Sequence, residues 1–164
     1  MPITPFHFGP GAALHAAAPG RISFLAFGAA NVLIDIEPGF YLLTHQFPLH
    51  RFCHTLAGAT LIMLATMALF ALTIRMAHYL PDLWHWKALT RSQIAWGAAL
   101  GSYSHIVLDG VMHDDIRPLA PFTDANPLWH IVSLSHLHLA CLLAGLLGLA
   151  VIGIRRMLPR PGRR

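Results

Sequence analysis

The chain has 164 residues, of which 55% are hydrophobic and only 11% charged, with twelve histidines and a net charge of +4. A soluble domain carries about 25% charged residues, so this deficit points to a single integral membrane domain and away from a soluble globular one. The surplus arginines (Arg155, Arg156, Arg160, Arg163, Arg164) sit at the C-terminal end without interleaved aromatics. They read as a topology signal and a contact for anionic lipid rather than a nucleic-acid patch.

Residues 1–21 are rich in Pro, Gly and Ala. Pro5, Gly9, Pro10 and Gly11 are expected to break an early helix, with a short interfacial one over Ala12 to Ala18. No positive segment followed by an apolar core opens the chain, so no cleavable signal peptide is expected. Ile22 to Ile36 is apolar apart from Ser23, Asn31 and Asp35. At ~1.5 Å per residue this helix is short for a bilayer core of about 30 Å. Pro38-Gly39 is expected to stop it.

Pro48 suits a first helical position, which predicts a helix over 48–78 with His50 and His54 in its first turns. Residues 79–91 form a loop whose Trp84 and Trp86 read as interface anchors. Ser92 is the expected cap of a helix over 93–113. An acidic, Pro-rich loop leads to a last span over 128–154. The expected fold is therefore all-α: a helical membrane bundle with three full spans and one shorter N-terminal apolar helix. It forms one domain over 1–154, followed by a basic cytoplasmic tail over 155–164. Two cysteines, Cys53 and Cys141, make no disulfide framework.

Arginine and lysine placement predicts a multi-pass protein of the bacterial inner membrane with a cytoplasmic C-terminus. The loop holding Lys87 and Arg91 is then inside. His50, His54, Asp109 and His113 fall at outer helix ends, with Asp35 and Glu37 on the same side. Residues 1–21 begin inside if 22–36 crosses fully, and outside if it crosses halfway.

Ionisable groups in an apolar span are costly and mark functional sites. His105 and Asp109 are four apart and share a helix face. His50 and His54 have the same spacing, and a shared helix face is expected there too. Imidazole and carboxylate together suit a divalent metal: zinc, with manganese or iron as alternatives. The candidate ligands are His7, Asp35, His50, His54, His105 and Asp109. On one helix His105 and His113 stand about 12 Å apart, too far to share an ion, so His113 contacts a second ion or the substrate. Arg51 and Arg117 are candidate phosphate contacts. Glu37 and Asp35 are candidate catalytic carboxylates, Asp115 is a further candidate base, and the chemistry is metal-assisted hydrolysis of a phosphoester or ester. His15, His78, His85 and His130 read as interfacial decoration, and His136 and His138 as packing groups. Asn31, Ser102 and Ser104 read as interhelical hydrogen-bond glue.

The elements Thr4-Pro5-Phe6-His7-Phe8, Asp35-Ile36-Glu37-Pro38, His50-Arg51-Phe52-Cys53-His54-Thr55 and Ser104-His105-Ile106-Val107-Leu108-Asp109 carry a resemblance. The chain resembles the YdjM-like (LexA-binding, membrane-associated) group of small bacterial inner-membrane proteins, described as metal-dependent hydrolases. That resemblance implies a helical membrane domain with metal held by these His and Asp residues. The His-x3-Asp pattern is also similar to that of the zinc-dependent phospholipase C and nuclease group, which implies phosphodiester hydrolysis by analogy only. Two motifs depart from the family: its Pro-Asp-x-Asp is Ile34-Asp35-Ile36-Glu37 here, and the second His of His-Arg-x-x-Thr-His arrives one residue early. The expected partners are membrane lipids and a lipid-linked phosphoester substrate, with no nucleic acid. Two other readings stand beside hydrolysis. One is a non-enzymatic metal-binding or transport protein, the other a structural protein in which the His/Asp stripe locks helices together.

Overall fold

The computed structural model describes residues 5–158, which contain helices and no strand. A single 3-10 turn at Pro5–His7 leads into α1 (Phe8–Ala17). Pro10 does not break α1 because it lies in the first turn, where the backbone N–H has no intrahelical partner to lose. The same reason corrects the expected stop at Pro38. The chain kinks at Asp35 between α2 (Phe24–Ile34) and α3 (Ile36–Leu43), and Pro38 falls in the first turn of α3.

α4 runs over Leu56–Arg75, shorter at its start than expected. Thr55 takes the cap, its hydroxyl accepting from the Gly58 N–H at 2.9 Å. Residues 48–55, read from Pro48 as helical, form instead an irregular segment with one 3-10 turn at Phe52–His54. α5 (Arg91–Met112) is capped by Thr90 rather than Ser92, in a reciprocal capping box with Gln93. α6 (Leu134–Met157) starts at the Ser133 cap, so residues 128–133 stay outside it. Arg155 and Arg156 belong to its last turn, where they complement the helix dipole. The remainder of the predicted basic tail, 159–164, lies outside the described residues.

Two close helix pairings build the bundle. α2 runs parallel to α5: the Ser23 N–H donates to the Gln93 carbonyl, and Gly97 and Gly101 let the backbone of α2 approach. α1 runs parallel to α6, with Gly9 against Cys141 and Gly148 against Ala12 and Ala13. A Cβ on Gly148 would stand 2.6 Å from the Ala12 carbonyl carbon, so this seam needs glycine. At the far end the Arg155 guanidinium donates to the Ala16 carbonyl. α4 lies antiparallel to α5, with Thr60 and Tyr103 hydroxyls 2.7 Å apart. A small core of Ile34, Ala59 and Ile106 ties α2, α4 and α5 together.

This topology brings one end of four helices to a common level: the starts of α1 and α4, the ends of α2 and α5. His7, just before α1, thus lies at that end. Of the three spans expected, two helices among the described residues, α4 and α6, are long and apolar enough to cross a membrane. Their apolar side chains mostly face outward, with Leu61, Leu64, Leu72, Leu143, Leu146, Leu147 and Leu149 all exposed.

Candidate metal centre

Four elements deliver five ionisable side chains to that common end. His7 comes from the turn before α1, Asp35 from the α2–α3 kink, and His54 from the turn before α4. His105 and Asp109 come from α5, one turn apart on the inward face. All five are buried, His54 and His105 completely.

The ligand atoms of Asp35, His54, His105 and Asp109 lie within 4.8 Å of one another. Asp109 Oδ2 is 3.1 Å from His105 Nε2 and 3.5 Å from His54 Nε2. Asp35 Oδ1 is 3.3 Å from His105 Nε2 and 3.9 Å from His54 Nε2. His7 Nε2 reaches Asp109 Oδ1 at 2.9 Å. Atoms that each bond one ion at about 2 Å stand at such separations.

Hydrogen bonding does not account for this cluster. His7 Nε2, Asp35 Oδ1, both nitrogens of His54, His105 Nε2 and Asp109 Oδ1 are buried without a hydrogen-bond partner. Among the described residues the one other such side-chain atom is Ser102 Oγ. An unsatisfied buried polar group costs about 1–3 kcal/mol. Each of the five residues has a possible lone-pair donor among these orphans, and their concentration at one point fits a cation that satisfies them together.

Orienting contacts support the same reading. His105 Nδ1 is 3.0 Å from Asn31 Oδ1, while Asn31 Nδ2 donates to the Phe27 and Gly101 carbonyls. The amide therefore faces the imidazole with its oxygen, Nδ1 carries the proton, and Nε2 is left as the ligand atom. Metal-binding histidines are commonly held in this way. His54 turns Nδ1 toward Glu37 Oε2 at 4.0 Å, beyond hydrogen-bond reach, and Nε2 toward Asp35 and Asp109.

His50 is not on a shared helix face with His54, because residues 48–55 are not helical. The loop still stacks their rings edge-on, 4.6 Å apart. His50 joins Asp109 and His113 in a second group whose ligand atoms also lie within 4.8 Å of one another. His113 escapes the helical spacing that separates it from His105: it follows the last turn of α5 with extended backbone, φ −122°.

The two candidate bases hold the loop in place. Glu37 Oε2 accepts the Cys53 N–H at 2.8 Å and the Arg51 N–H at 3.2 Å. Burial pushes the Glu37 carboxyl up, but His54 and these two N–H groups outweigh it and hold it below its ordinary value. Asp115 accepts the N–H groups of Leu49 and His50, and its Oδ1 stands 2.7 Å from His50 Nδ1. Burial raises the Asp115 carboxyl and the His50 contacts more than offset it, so it too lies low. Both carboxylates therefore position the loop through its backbone N–H groups.

The two arginines stand apart from the ligands. Arg51 lies over the Tyr41 ring at 3.6 Å and its Nε donates to the Pro48 carbonyl. Arg117 is exposed and donates to the Asp114 carbonyl. Burial, then the Glu37 carboxylate, push the Cys53 thiol up to about 11, so the free side chain is a thiol at neutral pH.

Asn31 has a larger part than the interhelical bonding expected of it. The signal was present: Asn31 and Asp35 repeat on α2 the four-residue spacing of His105 and Asp109 on α5, and the two helices run parallel. No family model, no curated protein and no solved structure matches this chain.

Proposed function

We propose that the chain is a metal-dependent hydrolase of the bacterial inner membrane, acting on a phosphoester or ester of a lipid-linked substrate at the outer membrane face. The observation that carries this reading is the group of Asp35, His54, His105 and Asp109, whose buried ligand atoms lie within 4.8 Å of one another. Zinc suits two imidazoles and two carboxylates, and manganese or iron suits the same set. Bound there, a divalent ion supplies Lewis acidity, lowering the pKa of a water and polarising a phosphoryl or carbonyl oxygen.

The chain's own residues do the rest. Asp35 and Asp109 offset the charge of the ion, and His7 closes the group from the N-terminal side. Asn31 holds His105 at the tautomer that ligation needs, and Glu37 holds the loop that carries His54. Arg51 and Arg117 border one cleft of about 420 Å³ beside His50 and Asp115, where guanidinium groups suit a phosphate. Catalysis is favoured over simple metal storage by a second cleft, of about 560 Å³, which opens directly against His50 and His113.

Membrane placement rests on the outward leucines of α4 and α6 and on large apolar groups left exposed at the site end, Leu43 and Phe122 among them. Arg75, Arg91 and Arg155 lie at the opposite helix ends, which the positive-inside rule assigns to the cytoplasm. The test is hydrolysis of a panel of lipid phosphoesters and esters by detergent-purified protein. Activity abolished by chelator, restored by zinc or manganese and lost in Asp109→Asn supports the reading. Absence of turnover across the panel by a metal-loaded protein overturns it.

A further inference from the structure

We infer that the centre is binuclear: a second divalent ion sits between His50 and His113 at the rim, and Asp109 bridges it to the buried one. This rests on the metal reading above and goes beyond it in number, position and role.

Three observations converge. First, Asp109 belongs to both ligand groups. Its Oδ2 faces His54 and His105, and its Oδ1 lies 2.9 Å from His7 Nε2. A carboxylate that lies within ligand distance of both donor sets can bridge them.

Second, His50 is prepared as a ligand. Asp115 Oδ1 takes Nδ1, and the same carboxylate accepts the His50 and Leu49 N–H groups. The ring is fixed, and Nε2 is the atom left to bind. This carboxylate–histidine arrangement is the usual support of a metal-bound imidazole. His50 is nevertheless almost fully buried, with 5% of its surface exposed.

Third, His113 completes the group from the opposite side. Its ring lies 4.5 Å from that of His50, tilted by 33°, and its backbone N–H is tied to the Asp109 carbonyl at 2.8 Å. Two imidazoles this close repel if both are charged. A cation between them removes the conflict.

The two positions differ in access. The inner group is closed, whereas His50 and His113 line the 560 Å³ cleft with Phe47, Pro48 and Asp114. The rim ion is therefore the one a substrate oxygen meets, and the inner ion is the one the fold retains. The rim site offers three protein ligands, so an open position remains for substrate.

The experiment is metal stoichiometry on the full-length chain in detergent, stripped with chelator and re-equilibrated with Mn²⁺. Two ions per chain are expected in the wild type. One is expected in His113→Ala and in His50→Ala, with circular dichroism unchanged. Low-temperature electron paramagnetic resonance of the wild type should show an exchange-coupled Mn²⁺ pair, a readout that needs no variant to fold. One ion in the wild type, uncoupled and kept by His113→Ala, overturns the second site and leaves the buried one standing. No ion at all overturns both. Two ions without coupling overturn the bridge, and two ions retained in both variants overturn the assignment to His50 and His113.

Discussion

Asn31 Oδ1 and His105 Nδ1 meet at 3.0 Å across the parallel α2–α5 pair. The two bonds from Asn31 Nδ2 to the Phe27 and Gly101 carbonyls fix the amide. One uncharged side chain thus decides which imidazole nitrogen faces Asp35 and Asp109. Replacing it tests whether tautomer control matters. Asn31→Leu should weaken metal binding about 10- to 100-fold, the usual effect of losing such a support. Competition against a fluorescent chelator checks this; unchanged affinity would mean that His105 needs no orientation.

Metal removal should destabilise the fold. Without a cation, Asp35 and Asp109 face histidine nitrogens that satisfy no hydrogen bond. An ion present at a thousand times its Kd adds about 4 kcal/mol to the folded state. Chelator should lower the thermal midpoint of the wild type and leave that of His105→Ala nearly unmoved. Equal shifts in both proteins would dissociate stability from this site.

Glycine packing should control the site from a distance. Gly148 lies against the backbone of Ala12 and Ala13, where a side chain has no room. Gly148→Val should push α1 from α6 at a cost of about 1–3 kcal/mol, as overpacking does. Because α1 follows His7 directly, metal affinity should fall toward that of His7→Ala. Normal affinity in Gly148→Val would show that His7 does not depend on this seam.

Acid should loosen the loop that carries His50 and His54. Glu37 accepts the Arg51 and Cys53 N–H groups, and its folded pKa lies below 4.5. A depressed carboxyl stabilises the fold fully above its unfolded value and loses that contribution as pH falls through the folded one. Hydrogen exchange at Cys53 should therefore be slow above about pH 5 and accelerate below pH 4.5, beyond the intrinsic pH trend. Glu37→Gln should exchange fast throughout. Protection independent of both pH and Glu37 would remove the carboxylate from this role.

Legibility in the sequence followed the local rules. His105 and Asp109 were readable because an unbroken helix fixes the direction of side chains four apart. His50 and His54 were recognisable as metal-binding types, yet their arrangement was not. Pro48 and Thr55 both offer a helix start, and the local pattern does not reveal that Thr55 wins. That choice frees His50 to serve a different group from His54. Helical spacing set His113 apart from the ion of His105, and it does fall in the other ligand group; its pairing with His50 was not legible, because that depends on the fold of residues 48–55. Pro10 and Pro38 looked like breaks because their place within a first turn depends on where the helix begins. Glycine contacts between α1 and α6 depend on partners far along the chain, so no local pattern announces them.

X-ray absorption at the zinc edge of the zinc-loaded protein tests the metal centre most directly. The expected spectrum has a nitrogen and oxygen shell at about 2.0–2.1 Å with outer-shell scattering from imidazole, and it changes in His105→Ala. A sulfur shell near 2.3 Å, or a spectrum indifferent to His105 and Asp109, would contradict a centre built from Asp35, His54, His105 and Asp109.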